Sequence, residues 1–426
     1  MSWAFRRRLR SFLRSSLWVV PAVSTVAAVL SVPLLRILDR ILNFGLLEYT
    51  SEGARALAGI ISAAMLSFVV FFFSVLLLTV QLASSTLSPR IISRPFRSRS
   101  LKLSLGLFVF TFIYSMAVVA RGTERNLGQL VTAMVIVLTI ISICVFLYVV
   151  EHVSKQLRPV TVMADIALEG LEVIKAVYPR TLEHGTPEAG SIDLPLGTTS
   201  RAILHTGKSG VVLALDIDGL VDIAIRGACT IEVVPQVGDF VAKQDPVFRQ
   251  YGGGTTISSA ELLKHITLDR ERTLEQDPAF AFRIIVDIAS KALSPAINDP
   301  TTAVLALDQI HSLLREVGLR RLDTGLVHDS MGQLRLIYHT PDWEDFVGLA
   351  VTEIRQFGRN SIQVVRRMRA MLDSLIPLLP PHRSAALGRE LDLLDSAADE
   401  AFATPEDRKL AGFPDFQGLG GHRRTS

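Results

Sequence analysis

Hydroxyl groups set within long apolar runs are the first residues of this chain whose type and spacing suggest chemistry. Ser62, Ser67, Ser74 and Thr79 fall in one run, Thr111, Tyr114 and Ser115 in another, and Thr132, Thr139 and Ser142 in a third. Within a membrane, such groups can line a watery path, bond the preceding turn of their own helix, or join neighbouring helices. The first option makes Ser62, Ser67, Ser74 and Thr79 pore-lining candidates. A second group, Asp277, Asp287, Ser294, Asn298 and Asp299, gathers polar atoms around two expected helix ends. Residues of these types cap free amides and form i,i+4 ion pairs, or they build a pocket for an ion or ligand. A third group, Arg90, Arg94, Arg97 and Arg99, is a run of cations without an acid, suited to contact with lipid headgroups.

Other motifs fail on spacing. Thr206-Gly207-Lys208-Ser209 matches the end of a phosphate-binding loop, but Ala202 stands where a glycine is required and a strand-like run follows. Asp216-Ile217-Asp218-Gly219 has its glycine two positions early for a calcium loop and lacks the closing glutamate. Gly252-Gly253-Gly254-Thr255-Thr256 could cradle an anion before a helix capped by Ser258, and reads more simply as a connector. The nine histidines show no metal-ligand spacing, and Cys144 and Cys229 form no paired framework. No Ser-His-Asp or Cys-His grouping assembles locally, so neither enzymatic activity nor a cofactor or metal is expected.

The elements that carry these residues divide the chain unequally. Apolar runs at 17–35, 54–83, 103–120 and 127–150 each approach the ~20 residues that a helix needs to cross a bilayer. With 49% hydrophobic residues and a mean hydropathy of +0.38, the excess belongs in lipid. None of the four runs has a charged residue in its central span, which argues against a proton relay or a pump. The segment between the second and third runs carries Arg90, Arg94, Arg97, Arg99 and Lys102 and no acid, and the N-terminal segment is also purely basic. The excess of Lys and Arg marks the cytoplasmic side, and four crossings return the chain to it. The expectation is a multi-pass protein of the inner membrane with both termini in the cytoplasm. Ala54, Ala58 and Ser62, and Ser24 with Ala28, predict close helix approach within or between subunits. The partners expected are the lipid bilayer, further copies in a homo-oligomer, and an unidentified protein or small molecule. A net charge of +3 leaves no nucleic-acid footprint.

Behind the membrane part, residues 151–208 read as a connecting helix and loop. Residues 209–257 change period: Val211, Leu213 and Leu215 alternate, as do Val221, Ile223 and Ile225, and then Ile231 and Val233. They predict short strands of a small β-barrel-like part. The piece VPQVGDFVAKQDPVF resembles the turn-rich half of a lipoyl or biotinyl carrier, without the Met-Lys that carries the cofactor. Residues 258–404 predict a helical part, with helices opening at Asp277 and at Asn298-Asp299-Pro300. In it, Arg355, Arg359, Arg366 and Arg369 fall near one stripe, a basic face expected in water or against anionic headgroups. Residues 405–426 read as a disordered tail. The fold class is an α-helical membrane protein with four transmembrane helices, followed by an α+β cytoplasmic domain.

Several of these stretches together resemble one family, the predicted bacterial membrane proteins called domain of unknown function 2254. The pieces are VQLASSTLSPR at 80–90, LGLFVFTFIYSMAVV at 105–119, the VGDFV turn, and above all DPAFAFRIIVDIASKALSPAINDPTTA at 277–303. Leu87 departs mildly from the aromatic residue typical near the membrane loop. The resemblance implies membrane helices first and a cytoplasmic domain after, and it carries no activity, ligand or catalytic residue. Two functions stay open: an oligomeric channel-like conduit gated by its cytoplasmic domain, and a non-conducting membrane-anchored scaffold or sensor that binds a partner or small ligand.

Overall fold

The computed structural model describes residues 16–42, 50–86, 88, 90, 98–120, 129–156, 158–182, 200–253, 257–322 and 325–421. They form two compact units, divided between Arg158 and Pro159.

The first unit is built of four helices: α1 (Val19–Leu42), α2 (Ser51–Thr86), α3 (Arg99–Ala120) and α4 (Gln129–Gln156). All four are long and apolar enough to cross a membrane. On α2, Ala54, Ala58, Ile61, Met65, Phe72 and Leu76 are buried, a face at three- and four-residue spacing, while Ile60, Val70, Leu77 and Leu78 point outward as lipid requires. Helix α3 packs against each of the others. A Cβ on its Gly106 would fall 2.6 Å from Val20 and 2.9 Å from the Ser24 hydroxyl, so this glycine is what admits α1. The small residues Ala28, Ala54 and Ala58 are likewise buried among α1–α4. The close approach that they predict is thus met within one chain.

The second unit begins with α5 (Pro159–Val177) and continues through a mixed region. Its strands are β1 (Ser200–Leu204), β2 (Gly210–Leu215), β3 (Thr230–Val233), β4 (Phe240–Val241), β5 (Pro246–Tyr251), β6 (Ile266–Asp269), β7 (Leu326–His328) and β8 (Leu334–Tyr338). They form a five-stranded sheet, β1-β5-β3-β8-β7, and a three-stranded sheet, β4-β2-β6. The barrel-like expectation is therefore corrected: the strands do not close into a barrel. Two strands of the larger sheet come from beyond residue 257, and β8 runs parallel to β3. Val212, Leu215, Ile231, Val233, Phe248 and Leu336 share one apolar core with α6 (Ile217–Arg226).

Helix α6 is a second correction, because Val221, Ile223 and Ile225 were expected in a strand. The Asp216 carboxylate accepts the Gly219 amide at 3.3 Å and caps the helix, and Leu220, Ile223 and Ala224 are buried on one helical face. The short α7 (Ser259–Leu262) follows β5. Then come α8 (Pro278–Ala292), α9 (Pro300–Gly318), α10 (Trp343–Gly358), α11 (Ile362–Leu375) and α12 (Pro381–Ala401). Gly170 of α5 sits where a Cβ would come within 2.7 Å of Ala281 and 3.1 Å of Leu313, which brings α5 down onto α8 and α9. Phe282 and Phe346 are fully buried beneath, ring centroids 5.4 Å apart. The tail is also corrected. Residues 405–411 form α13 (Pro405–Ala411), and the chain stays packed through residue 421.

Candidate functional site

Ionisable side chains from separate elements gather on the five-stranded sheet. Along β3, Ile231 and Val233 enter the core, so Glu232 points to the opposite face. Register sets Arg249 of β5 directly across from it. The Tyr251 hydroxyl donates to Glu232 Oε2 at 2.6 Å, Arg249 Nη1 to Oε1 at 3.3 Å, and His339 Nε2 lies 3.8 Å from Oε1. Glu232 is only 9% exposed, whereas the His339 side chain is 60% exposed. By accepting the hydroxyl proton, the Glu232 carboxylate holds the Tyr251 phenol above its ordinary value. The arrangement presents a buried anion with a phenol, a guanidinium and an imidazole at its rim, which suits the binding of a small polar ligand. As a purely structural cross-strand ion pair it would contribute ~0.2–1 kcal/mol.

A second pair lies beside α6. His265 Nδ1 is 2.9 Å from Asp216 Oδ2, and a Cβ on Gly219 would collide with the ring at 2.3 Å. The carboxylate thus orients the imidazole while also capping the helix. Among the described residues, no group of three or more His, Cys, Asp or Glu is arranged to hold a metal.

The residues singled out from sequence are not brought together. Asp277 caps α8, accepting the Phe280 amide at 3.0 Å, and pairs with Arg272. Burial pushes its carboxyl up against the opposing pull of Arg272. Asp299 caps α9 through the Thr302 amide at 3.1 Å. Ser294 bonds the Lys291 carbonyl at 2.7 Å, and Asn298 takes a left-handed φ of 49° in the turn between the helices. Asp287 pairs with Arg283, which also grips Glu353 of α10 through two bonds of 2.6 Å. Capping and ion pairing account for Asp277, Asp287 and Asp299, while Ser294 and Asn298 shape the turn between the two helices.

The arginine stripe differs most from expectation. Arg366 and Arg369 are 2% and 8% exposed. Arg366 donates to the carbonyls of Phe413, Gly420 and Gly421, and Arg369 to that of Ala411. Arg355 pairs with Glu390 at 3.1 Å, and only Arg359 of the four is exposed. Arg383, fully buried, donates to the Val317 and Gly318 carbonyls at the end of α9 and lies 5.6 Å from the centre of the Trp343 ring. Burial pushes its guanidinium down to about 10. Nothing in the local sequence marks these burials, because the acceptors are main-chain atoms far along the chain. A lone Glu between Ile231 and Val233 was the available signal for the sheet site, and it went unread.

In the membrane unit, Ser67, Ser74 and Thr79 bond the carbonyls four residues back at 3.3, 3.0 and 2.8 Å. Ser67 and Ser74 lie two turns apart on the exposed side of α2; Thr79 is buried and Ser62 half-buried, on other faces. The four share no single stripe. Hydroxyls instead join α3 to α4: Thr111 lies 3.1 Å from Ser142, and the Tyr114 hydroxyl donates to the Val131 carbonyl at 3.1 Å. Of the basic run, Arg90 and Arg99 are exposed, and Arg94 and Arg97 lie outside the described residues.

A family model described as "Predicted membrane protein (DUF2254)" matches residues 14–374. Uncharacterised proteins of Mycobacterium bovis and Mycobacterium tuberculosis are each 26% identical over 426 residues, covering 95% of this chain and 80% of their own. No solved structure matches.

Proposed function

We propose, from the premise that this chain belongs to the DUF2254 family of predicted membrane proteins, that it is a non-conducting membrane-anchored sensor. Its soluble unit binds a small polar ligand at Glu232, Arg249, Tyr251 and His339. One observation carries the reading: β3, β5 and the residue that follows β8 converge on a buried carboxylate, with an exposed imidazole at its edge. The basic segment at 90–102 supports an inner-membrane orientation with the soluble unit in the cytoplasm. No enzymatic step belongs to this reading.

The filling of the membrane unit also weighs against a path through one chain. Phe108 and Tyr114 are fully buried in it, and Phe68 stacks on Phe146 at 4.6 Å. Exposed Ser67 and Ser74 favour the second reading, a conduit formed by several copies with these faces turned inward. Ion flux through liposomes holding the purified chain separates the two. The sensor reading expects no flux, together with a ligand-induced thermal shift that Glu232→Gln removes. Reproducible flux that Ser67→Val and Ser74→Val abolish would replace it with the conduit.

A further inference from the structure

After α13, three large apolar side chains are exposed at three-residue spacing: Phe413, Phe416 and Leu419, by 46, 49 and 83%. Their exposure is built into the fold. Arg366, inside the unit, holds the carbonyls of Phe413 at 3.0 Å, Gly420 at 3.1 Å and Gly421 at 2.8 Å. Gln363 holds that of Gly418 at 2.9 Å. Asp415, 2% exposed, accepts the amides of Gln417, Gly418 and Gly420 at 3.1, 3.0 and 2.6 Å. Gly418 and Gly420 adopt φ of 69° and 84°, which an L side chain would resist. A Cβ on Gly418 would come within 2.7 Å of Val304, so the backbone lies tight against α9. A loosely collapsed tail would turn its apolar side chains inward. This one turns its peptide groups inward and leaves the side chains out, and an exposed apolar patch held this way marks an interaction surface.

The charge around the segment points to the occupant. Arg408 and Lys409 precede it and Arg423 and Arg424 follow it in sequence. Between Arg408 and Arg424 the one acid is Asp415, whose carboxylate is committed to backbone amides. Aromatic and aliphatic side chains with cations on either side in sequence, beyond which the exposed Glu406 and Asp407 lie, match the boundary between acyl chains and anionic headgroups. A chain with four candidate spans has a bilayer at hand. We propose that residues 412–421 are an interfacial anchor that lays Phe413, Phe416 and Leu419 into the anionic leaflet on the soluble unit's side of the membrane.

The test places a nitroxide on Leu419→Cys in the full chain, with Cys144→Ala and Cys229→Ala, in liposomes of phosphatidylglycerol and phosphatidylcholine. Collision with a water-soluble nickel chelate and with oxygen reports burial in lipid, and Met331→Cys, a position 82% exposed, is the aqueous reference. Both labelled positions are exposed, and the buried Cys229→Ala change is common to the two variants, so the comparison between them does not depend on it. The anchor predicts at least fivefold less nickel collision at 419 than at 331, with oxygen collision raised. The shielding should fade in pure phosphatidylcholine and in ~1 M salt, where charge is screened beyond ~3 Å. Lys409→Gln, Arg423→Gln and Arg424→Gln should each weaken it, by up to about fivefold. A label at 419 as wet as that at 331 in anionic liposomes overturns the proposal. So does shielding that ignores lipid charge and grows with protein-to-lipid ratio, which would make a second copy the occupant.

Discussion

The two units treat polar groups in opposite ways. In the membrane unit, Ser67, Ser74, Thr79, Ser104, Thr111 and Thr139 all bond the carbonyl four residues earlier, so a local partner is present even for Thr111, which also meets Ser142. In the second unit, Arg283, Arg366, Arg369 and Arg383 reach acceptors 42 to 70 residues away. Lipid offers no competing water, so a hydroxyl must be satisfied close at hand and adds little to the choice of neighbour. In water, a guanidinium is worth burying only where several acceptors converge, so each buried arginine ties distant elements into one arrangement. Polar chemistry completes the helices in one unit and determines the tertiary fold in the other.

Five substitutions can break or sharpen this contrast, each read in the full chain by hydrogen exchange in the unit concerned. Arg383→Ala should destabilise the soluble unit most, by about 3–5 kcal/mol, since it strands two buried carbonyls and leaves a hole beside Trp343. A loss under ~1 kcal/mol would show that the long-range bonds are incidental. Next, Phe346→Ala should cost about 3–5 kcal/mol, while Phe108→Ala should cost less, because only packing is lost where the surroundings are as apolar as the side chain. Equal costs would contradict the assignment of the first unit to lipid.

Glu232→Gln should cost about 1 kcal/mol and bring the Tyr251 phenol down towards 10.0, which near-ultraviolet titration of the phenolate would detect. The sign follows from the raised value in the folded state. Stability lent by this bond is intact at neutral pH and is lost as pH climbs past 10.0 through the raised value. An unmoved phenol would remove Glu232 as its acceptor. Thr111→Val should have the smallest effect, about 0.6 kcal/mol, although its partner Ser142 lies on another helix.

The same contrast explains what could be read in advance. Lipid-compatible runs and helix caps are local patterns, so four candidate spans and the capping roles of Asp277 and Asp299 were visible in the chain itself. The span limits moved by a few residues, as with α3, which starts at Arg99 rather than at 103. Helix α6 was missed because Asp222 and Ala224 interrupt three β-branched residues with period two, while the cap that decides the matter, Asp216, was weighed as a calcium ligand. The Arg366 clasp and the Glu232 site were out of reach for another reason. Their partners lie 17 to 107 residues away along the chain, and for Arg366 they are carbonyls, which every residue carries.

The parallel pairing of β3 with β8 has a consequence for how the chain is made. Thr230 bonds the carbonyl of Leu334, 104 residues later, so the centre of the larger sheet is incomplete until α8 and α9 have left the ribosome. At synthesis rates of ~5–20 residues per second, β3 waits roughly 5–20 s with one edge unpaired. Closure of so long a loop is intrinsically slow. Newly made chains should therefore become resistant to proteolysis in two steps, the membrane helices first and the sheet only after Tyr338 has emerged.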